Sequence, residues 1–471
     1  MPASEFRRHA QSLTNWIAHY LEHSDRYPVL SQVRPGDIRR ALPSAPPREG
    51  EEMELILQDF QRVLVPGLTH WNHPRFFAYF AITGSAPGVL AEFLSAALNQ
   101  QAMLWRTSPS ATELEQVVMD WLRQMLGLPE AFRGVIYDTA SVSTLHALAA
   151  AREAASPDVR KRGLAERLRV YCSDQVHSSI DKAVILLGLG LEALRKIPSD
   201  DEFRMVPGEL ARAVEEDRQA GWKPCAVVAT VGTTSTTSVD PIPAVAEICR
   251  REGIWLHVDA AYGGAAGIVP EHAHVLEGCD QADSFVINPH KWLFTPFDLS
   301  ALYLRNLNAL TAAFSLVPEY LRTSEGEEVF NLMDTGIQLG RRFRALKLWM
   351  ILRYFGVEGI RERIRGHIEL ARKLAGWIDQ DPDFERMAPV PMSLVCFRAR
   401  PAGREWTEAE LDELNMELME RVNRQGEIFL SHTRLKGRLA LRFAIGHIRT
   451  TEEHVRQAWD LLRRELVGGR A

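Results

Sequence analysis

The sequence has no long hydrophobic run and no excess of positive charge. Its longest apolar stretch, residues 183–190, is far shorter than the ~18–20 residues that a membrane-spanning helix needs. The formal net charge is −6, from 55 Lys and Arg against 61 Asp and Glu residues, so the protein as a whole does not attract a polyanion. We therefore expect neither a membrane nor a nucleic acid among its partners.

Cysteine is also scarce, and its five positions do not form a recognisable site. Their number is odd, and no two have the C-x-x-C spacing of a metal or redox pair. The N-terminus has no uninterrupted apolar segment of the kind found in signal peptides, since its apolar residues recur at helical spacing. We expect buried free thiols, no metal and a cytoplasmic location. The cysteines are Cys172, Cys225, Cys249, Cys279 and Cys396.

The distribution of proline and of apolar residues along the chain predicts three parts. In residues 1–84, amphipathic helices flank a proline-rich stretch, and their apolar faces must be buried elsewhere, for example on a second subunit. Residues 85–340 alternate short apolar runs with helical patterns. Residues 341–471 combine long helices with a few strands. We predict an N-terminal arm exchanged within a homodimer, a large α/β domain and a small C-terminal α+β domain.

The apolar runs of the second part are continuous, as in strands that helices cover on both faces. They predict a mainly parallel sheet in an α/β domain. A Ser-x-x-Glu pattern at residues 110–113 predicts a capping box that opens a helix. In the third part, residues 427–430 predict a strand. The runs of the second part are residues 134–137, 170–172, 226–229, 254–258 and 284–287.

Polar residues follow four of these runs, where an open α/β sheet binds its ligands. Small hydroxyl residues at 138–144 lead into a helix, and a similar group occupies 230–235. Asp259 ends one run, and Lys291 follows another. Each feature alone fits an ordinary helix cap, turn, ion pair or exposed lysine. Together they supply the phosphate site, acid and Schiff-base lysine that pyridoxal phosphate requires.

Five longer segments carry a family resemblance. The chain resembles the group II pyridoxal-phosphate decarboxylases of fold type I, and most closely the aromatic-L-amino-acid decarboxylases. The resemblance implies the α/β fold of the fold type I pyridoxal-phosphate-dependent transferases, with residues 85–340 binding the cofactor. The matching segments are residues 69–80 (THWNHPRFFAYF), 173–179 (SDQVHSS), 255–262 (WLHVDAAY), 288–292 (NPHKW) and 339–347 (LGRRFRALK).

The resemblance implies a role for particular residues. Lys291 is expected to bind the cofactor covalently, Asp259 to face its pyridine nitrogen, and His177 to stack on its ring. Further cofactor contacts are implied for Thr139, Ala140, Ser141, Thr234, Ala261, Asn288 and His290. An aromatic substrate wall is implied for Trp71, Tyr79 and Phe80. Leu104 and Trp105 stand where the partner subunit reaches in.

Two departures from the family pattern bear on the substrate and the reaction. Ile82 and Met103 replace a hydroxyl residue and an aromatic residue, and Gly340 leaves space, which favours tryptophan-like or phenylalanine-like substrates over DOPA. The family has a proton-donating Tyr in the loop that corresponds to residues 323–338. Residues 324–338 of this chain contain no Tyr, and Leu332 stands at the position of that Tyr. A hydrocarbon cannot donate a proton, so His177 or a water is expected to do so.

We therefore predict α-decarboxylation of an aromatic L-amino acid to its amine and CO₂. Three alternatives stay open. Replacement of the loop Tyr by Phe in this family accompanies oxygen-dependent aldehyde formation, so an aromatic aldehyde synthase is one. Decarboxylation of glutamate or diaminobutyrate is a second, although no Arg or Lys is obviously placed to bind a distal carboxylate. A non-catalytic scaffold is the third, and the retained Lys291, Asp259 and His177 argue against it.

Overall fold

The computed structural model describes residues 1–316 and 329–468. Part of the loop predicted at 323–338, residues 323–328, therefore lies outside the described residues. The chain divides into two compact units. The first comprises Met1–Ala81, Arg372–Met387 and Val395–Ala471, and the second comprises Ile82–Ala371 and Ala388–Leu394. The three-part division of the sequence stays a prediction beside these units.

The helices and strands are numbered in chain order. The helices are α1 (Ala3–His23), α2 (Asp37–Ala41), α3 (Met53–Asp59), α4 (Ala86–Leu98), α5 (Pro109–Met125), α6 (Ala140–Ala155), α7 (Val159–Arg162), α8 (Ser179–Leu186), α9 (Pro207–Gln219), α10 (Ile242–Glu252), α11 (Pro289–Trp292), α12 (Asn308–Phe314), α13 (Ala345–Gln380), α14 (Glu408–Arg424) and α15 (Glu452–Gly468). The strands are β1 (Arg133–Tyr137), β2 (Leu168–Ser173), β3 (Leu194–Ile197), β4 (Lys223–Thr230), β5 (Trp255–Asp259), β6 (Ser284–Ile287), β7 (Ser300–Leu304), β8 (Phe384–Arg386), β9 (Leu394–Ala399), β10 (Ser431–Leu435) and β11 (Arg438–Ala444).

The second unit is built on a seven-stranded sheet in the order β1-β7-β6-β5-β4-β2-β3. The neighbours from β6 to β3 are parallel, while β7 runs antiparallel to both β6 and β1. Strands β4 to β7 are almost wholly buried, because helices cover the sheet. The predicted α/β class with a mainly parallel sheet is confirmed, and the five predicted strands are present.

Two local predictions in this unit were incomplete or wrong. Strands β3 and β7 were not predicted from the sequence. The capping box at residues 110–113 is absent, because α5 begins earlier: Ser108 is its N-cap and Pro109 its first residue. Proline is favoured at that position since its missing N–H would have no partner there. Gly356 interrupts α13 with a φ of +64°.

The first unit contains the helices α1 to α3, α14 and α15. Its four-stranded sheet has the order β10-β11-β9-β8. Part of the predicted arm belongs to its core, since the rings of Phe77 and Phe443 stack 4.0 Å apart. The strand predicted at residues 427–430 is wrong, because β10 begins at Ser431. No helix among the described residues is long and apolar enough to cross a bilayer.

Candidate functional site

The predicted site residues of the second unit gather at one edge of its sheet. Strands β1, β4, β5 and β6 all end there, since β1 is antiparallel to β7, which is itself antiparallel to β6. Thr230 at the end of β4 pairs with Asp259 at the end of β5. The Asn288 N–H donates to the Ala261 carbonyl at 3.0 Å, which fixes the chain leaving β6 beside the chain leaving β5.

Lys291 and Asp259 lie within electrostatic reach of each other at this edge. Burial lowers the pKa of the Lys291 ammonium, and the charge of Asp259 only partly opposes that shift. A lowered pKa increases the fraction of neutral amine, the form in which lysine acts as a nucleophile. Asp259 is buried, and its Oδ1 accepts the Ala261 N–H at 3.1 Å, so its carboxylate is held in a fixed orientation.

His177 lies just before α8, and its protonation state follows from its hydrogen bonds. The Ser179 N–H donates to Nδ1 at 3.1 Å, so the ring proton of the neutral imidazole is on Nε2. The Ser179 hydroxyl also lies 2.9 Å from Nδ1. Desolvation and, second, the charge of Lys291 lower the pKa of His177, while Asp259 opposes them. His177 is thus a neutral Nε2–H donor near Lys291 and Asp259.

Residues 138–141, called here the cradle turn, form the N-terminus of α6. Thr139 is the N-cap, and its carbonyl accepts the N–H groups of residues 142 and 143. The N–H groups of Ala140 and Ser141, at the first two helical positions, have no partner within the helix and can bind an anion. Asp138 Oδ1 accepts from the Thr139 N–H at 2.6 Å and lies 3.1 Å from its hydroxyl, which fixes the turn.

Two buried polar atoms at this edge have no hydrogen-bond partner among the described residues. They are Asn288 Oδ1 and Thr230 Oγ1, in side chains that are 3% and 5% exposed. An unpaired buried polar atom costs ~1–3 kcal/mol, so the edge is suited to a polar ligand that completes these bonds. Thr230 begins the hydroxyl-rich group at residues 230–235, but it was not among the contacts predicted from the sequence.

The hydrogen bonds of His290 disfavour its predicted contact with a phosphate. Its Nδ1 accepts the Leu299 N–H at 3.0 Å, and the ring also hydrogen-bonds the backbone of Asp138. Burial, reinforced by the charge of Lys291, lowers the pKa of His290 to about 3, so the ring is neutral. Of the two other predicted cofactor contacts, Ala261 is buried beside Asp259, whereas Thr234 is exposed in the turn after β4.

The predicted substrate residues are not all in the same compact unit. Trp71, Tyr79 and Phe80 belong to the first unit, where the rings of Trp71 and Tyr79 stack 5.9 Å apart. The aromatic wall therefore stays a prediction. Ile82 belongs to the second unit.

The remaining substrate residues lie around the end of the predicted loop in the second unit. The Met103 carbonyl accepts the Met333 N–H at 3.1 Å, and a side chain at Gly340 would approach Gln101 Nε2 to 3.3 Å. Leu332 is 1% exposed and packs in a hydrophobic cluster with Val135, Tyr137 and Leu310. In this arrangement Leu332 lies in the core rather than facing a pocket.

All five cysteines are buried and unpaired in disulfides. Burial raises the pKa of Cys172, Cys225, Cys249 and Cys396 to about 12, so these thiols are poor nucleophiles. No group of three or more His, Cys, Asp or Glu side chains in the described ranges 1–316 and 329–468 is placed to hold a metal.

Comparison with known proteins gives one consistent family. The model of the pyridoxal-dependent decarboxylase conserved domain matches residues 35–400. The chain is 43% identical to aromatic-L-amino-acid decarboxylase of Sus scrofa over 98% of this chain and 96% of that protein. It is 42% identical to phenylacetaldehyde synthase of Arabidopsis thaliana over 99% and 96%. The structure of Catharanthus roseus tryptophan decarboxylase in complex with L-tryptophan matches with a TM-score of 0.93 and 39% identity, covering 99% of both chains.

Proposed function

Because the chain belongs to the pyridoxal-dependent decarboxylase family, and so is a pyridoxal-phosphate enzyme, we propose that it decarboxylates an aromatic L-amino acid. The products are the corresponding amine and CO₂. The observation that carries this proposal is the group of Lys291, Asp259 and His177 at the sheet edge that also holds two unpaired buried polar atoms. Its relatives include both decarboxylases and an aldehyde synthase, so the reaction itself needs a direct test.

The residues at the edge fit the cofactor. The N–H groups of Ala140 and Ser141 would bind its phosphate, and Asn288 would complete its hydrogen bonding there. Once bound, pyridoxal phosphate supplies the conjugated ring that accepts the electron pair released with CO₂. The Asp259 carboxylate would hold a proton on the pyridine nitrogen, and Lys291 Nζ, with its lowered pKa, would supply the amine that binds the cofactor.

We propose that His177 donates the proton that replaces CO₂ on the α-carbon. Its Nε2–H is the available donor, since Nδ1 accepts the Ser179 N–H. We assign this donor to do the work of the absent loop Tyr, and solvent restores the proton to Nε2 when the product leaves.

The expected substrate preference follows from two apolar side chains. Ile82 and Met103 offer no partner for a catechol hydroxyl, and an unpaired buried hydroxyl costs ~1–3 kcal/mol. Tryptophan-like or phenylalanine-like substrates are therefore favoured over DOPA, and the aromatic wall that the resemblance implies for Trp71, Tyr79 and Phe80 would disfavour glutamate or diaminobutyrate.

An aromatic aldehyde synthase is the second candidate, supported by the likeness to phenylacetaldehyde synthase and by Leu332. In that reaction the amino acid, O₂ and water give the aldehyde, CO₂, ammonia and hydrogen peroxide. The outcome depends on whether the carbanion is protonated or oxidised. Leu332 packs among Val135, Tyr137 and Leu310, and its hydrocarbon side chain cannot donate a proton.

We also propose a homodimer in the cytoplasm. Apolar side chains of the first 84 residues remain exposed in the single chain, among them Phe6 (54%) and Leu55 (55%), and a partner subunit would bury them. The five reduced, buried cysteines are consistent with a reducing compartment.

Product analysis tests the proposal. The purified holoenzyme is incubated with tryptophan, phenylalanine, tyrosine, DOPA and glutamate while CO₂, amine, aldehyde and O₂ are measured, with Lys291→Ala as the inactive control. Equal amounts of amine and CO₂ without O₂ uptake are expected. Oxygen uptake with ammonia and peroxide would establish the aldehyde synthase instead, and no CO₂ from any aromatic substrate would refute both.

A further inference from the structure

Residues 335–341, called here the return segment, follow the Leu332 turn and are tied to β1 and α6. The Tyr137 hydroxyl donates to the Thr335 carbonyl at 2.6 Å. The Ile337 N–H donates to His146 Nε2 at 3.0 Å. Two buried side chains from the sheet-and-helix core thus bind the backbone of a connecting segment.

These bonds determine the tautomer of His146. Its Nε2 accepts the Ile337 N–H and so carries no proton, which places the proton on Nδ1. Nδ1–H donates to the Val142 carbonyl at 2.6 Å, one turn earlier in α6. The imidazole stacks on Tyr137 with ring centroids 4.4 Å apart. Both ring nitrogens and one ring face are therefore committed to a single arrangement.

The return segment approaches this imidazole too closely for any residue but glycine at position 336. A Cβ at Gly336 would lie 2.6 Å from His146 Nε2 and 3.0 Å from Tyr137 Cε1. Real Cβ contacts are longer, so an added methyl would push the segment off the ring.

A second link joins the return segment to the cradle turn. The Gln338 amide lies 3.3 Å from Asp138 Oδ2, while the other oxygen of the same carboxylate accepts the Thr139 N–H. One carboxylate therefore contacts both the helix N-terminus that would bind the phosphate and the segment that continues to Gly340. Displacement of residue 337 would pull Gln338 away from Asp138.

We propose that His146 is a positioning residue of the active site: as a neutral imidazole it holds residues 336–338 against the cradle turn. The role rests on the proposed function, since the return segment connects the Leu332 turn with Gly340 on the substrate side. His146 does not touch the reacting atoms. It acts through the backbone of Ile337 and, beyond it, through the contact between Gln338 and Asp138.

The surroundings of His146 keep it neutral, as this role requires. Burial lowers its pKa, the Val142 carbonyl opposes this, and the charge of Arg341 lowers the pKa further while Asp138 raises it. Tyr137 and Phe314 face the ring with aromatic surfaces. A second ring proton would meet the Ile337 N–H and break the link.

Hydrogen–deuterium exchange of the holoenzyme tests directly whether His146 holds the backbone of Ile337. In His146→Leu the Ile337 amide loses its acceptor, and its exchange should accelerate by about tenfold. His146→Gln offers an amide oxygen to the same N–H and should restore much of the protection. Unchanged protection in His146→Leu would overturn the proposal.

Steady-state kinetics show whether His146 positions the active site or only stabilises the fold. For His146→Leu and Gly336→Ala, kcat should fall by about tenfold to a hundredfold, as for misplaced active-site groups, while the Kd for pyridoxal phosphate stays unchanged. Gly366→Ala, where an added Cβ meets nothing within 4 Å, is the matched control for Gly336→Ala and should keep wild-type kcat.

The outcomes remain separable. Faster exchange at residue 337 with unchanged kcat would overturn the active-site role of His146. If His146→Leu does not fold, Gly336→Ala and His146→Gln carry the test. If the wild-type enzyme releases no CO₂ from aromatic amino acids, the proposed function fails, while the exchange of the Ile337 amide still decides whether His146 holds the segment.

Discussion

The sheet edge and the return segment, both in the second unit, treat their buried polar groups in opposite ways. At the edge, Asn288 Oδ1 and Thr230 Oγ1 have no partner within the described residues. Against the return segment, the Tyr137 hydroxyl donates to a backbone carbonyl, and both ring nitrogens of His146 are bonded to backbone. Unpaired groups mark where a ligand completes the structure, and paired groups mark where the protein fixes its own chain.

Removing the lysine should have the largest effect at the edge. Lys291→Ala takes away the only amine assigned to the cofactor, so kcat/KM should fall by on the order of 10⁴-fold or more. The visible absorption band of the bound cofactor should disappear in a spectrum of the purified variant. Lys182→Ala, on the nearby α8, is the control and should retain the band. Retention of the band in Lys291→Ala would place the cofactor on another residue.

Asp259→Asn tests whether charge, rather than hydrogen bonding alone, is needed at the end of β5. An amide is nearly isosteric and can still accept the Ala261 N–H, but it cannot hold a proton on the pyridine nitrogen. Activity should fall by about 10²–10³-fold, the loss typical of one preorganised electrostatic contact. Steady-state kinetics at saturating cofactor measure it. Wild-type kcat in Asp259→Asn would contradict the assigned role.

In the return segment the largest effect should be on stability. Arg341 donates to Glu115 at 2.7 Å, and both side chains are buried. Arg341→Met leaves the Glu115 carboxylate buried without its cation, which should cost about 3–5 kcal/mol of unfolding free energy in urea titrations. Arg342→Met, which breaks an exposed pair with Glu92, should cost no more than about 1 kcal/mol. Equal losses would show that burial does not set the difference.

What the sequence could predict in these two regions depends on the range of the interactions. The strand ends were predictable because an apolar run and the polar residues after it are neighbours in the chain. Helix α14, Glu408–Arg424, has local signals of the same kind, in its capping box of Thr407 and Glu410 and in its periodicity. The N-cap of α5 was misplaced by two residues because Pro109 outweighed the Ser-x-x-Glu pattern.

Long-range pairing could not be predicted in the same way. His146 and Ile337 are 191 residues apart, and no pattern around either residue indicates the other. Strand β7 fits between β1 and β6 only through antiparallel pairing with both, which a single sequence does not encode locally. The unpaired state of Thr230 Oγ1 is likewise a property of everything packed around it.

Two buried histidines of the second unit, His257 in β5 and His290 in α11, predict how stability depends on pH. Burial lowers the pKa of His257 to about 4 and that of His290 to about 3, both below the unfolded value near 6.5. Below pH 6.5 the unfolded chain binds protons that the native state refuses, so stability falls as pH falls toward those values. The loss between pH 7 and pH 5 should be about 2 kcal/mol per histidine.

Asp240 should partly offset this loss. Burial raises its pKa to about 6, so the native state takes up a proton there that the unfolded chain does not bind, which favours folding as pH falls from 7 to 5. Urea unfolding of wild type and His257→Gln at both pH values measures the balance. The variant should show a shallower dependence on pH. Equal slopes would mean that His257 is not held neutral.

The smallest expected effect is the sharpest test of the comparison, because its sign differs between the two regions. Thr230→Val removes an unpaired buried hydroxyl and keeps the side-chain shape, so the apoenzyme should become more stable by about 1 kcal/mol. Because the same hydroxyl would serve the cofactor, the Kd for pyridoxal phosphate should rise by about tenfold.

Thr335→Val makes the same chemical change in the return segment, where the hydroxyl donates to the Leu332 carbonyl at 2.7 Å. It should destabilise the apoenzyme by about 1 kcal/mol and leave the Kd unchanged, since the protein rather than a ligand uses that bond. Urea unfolding of the apoenzymes gives the change in unfolding free energy for each variant, and cofactor titration gives the Kd for pyridoxal phosphate of each. If Thr230→Val lowers apoenzyme stability as Thr335→Val does, the Thr230 hydroxyl has a hydrogen-bond partner within the protein. Thr230 Oγ1 would then not indicate a ligand site.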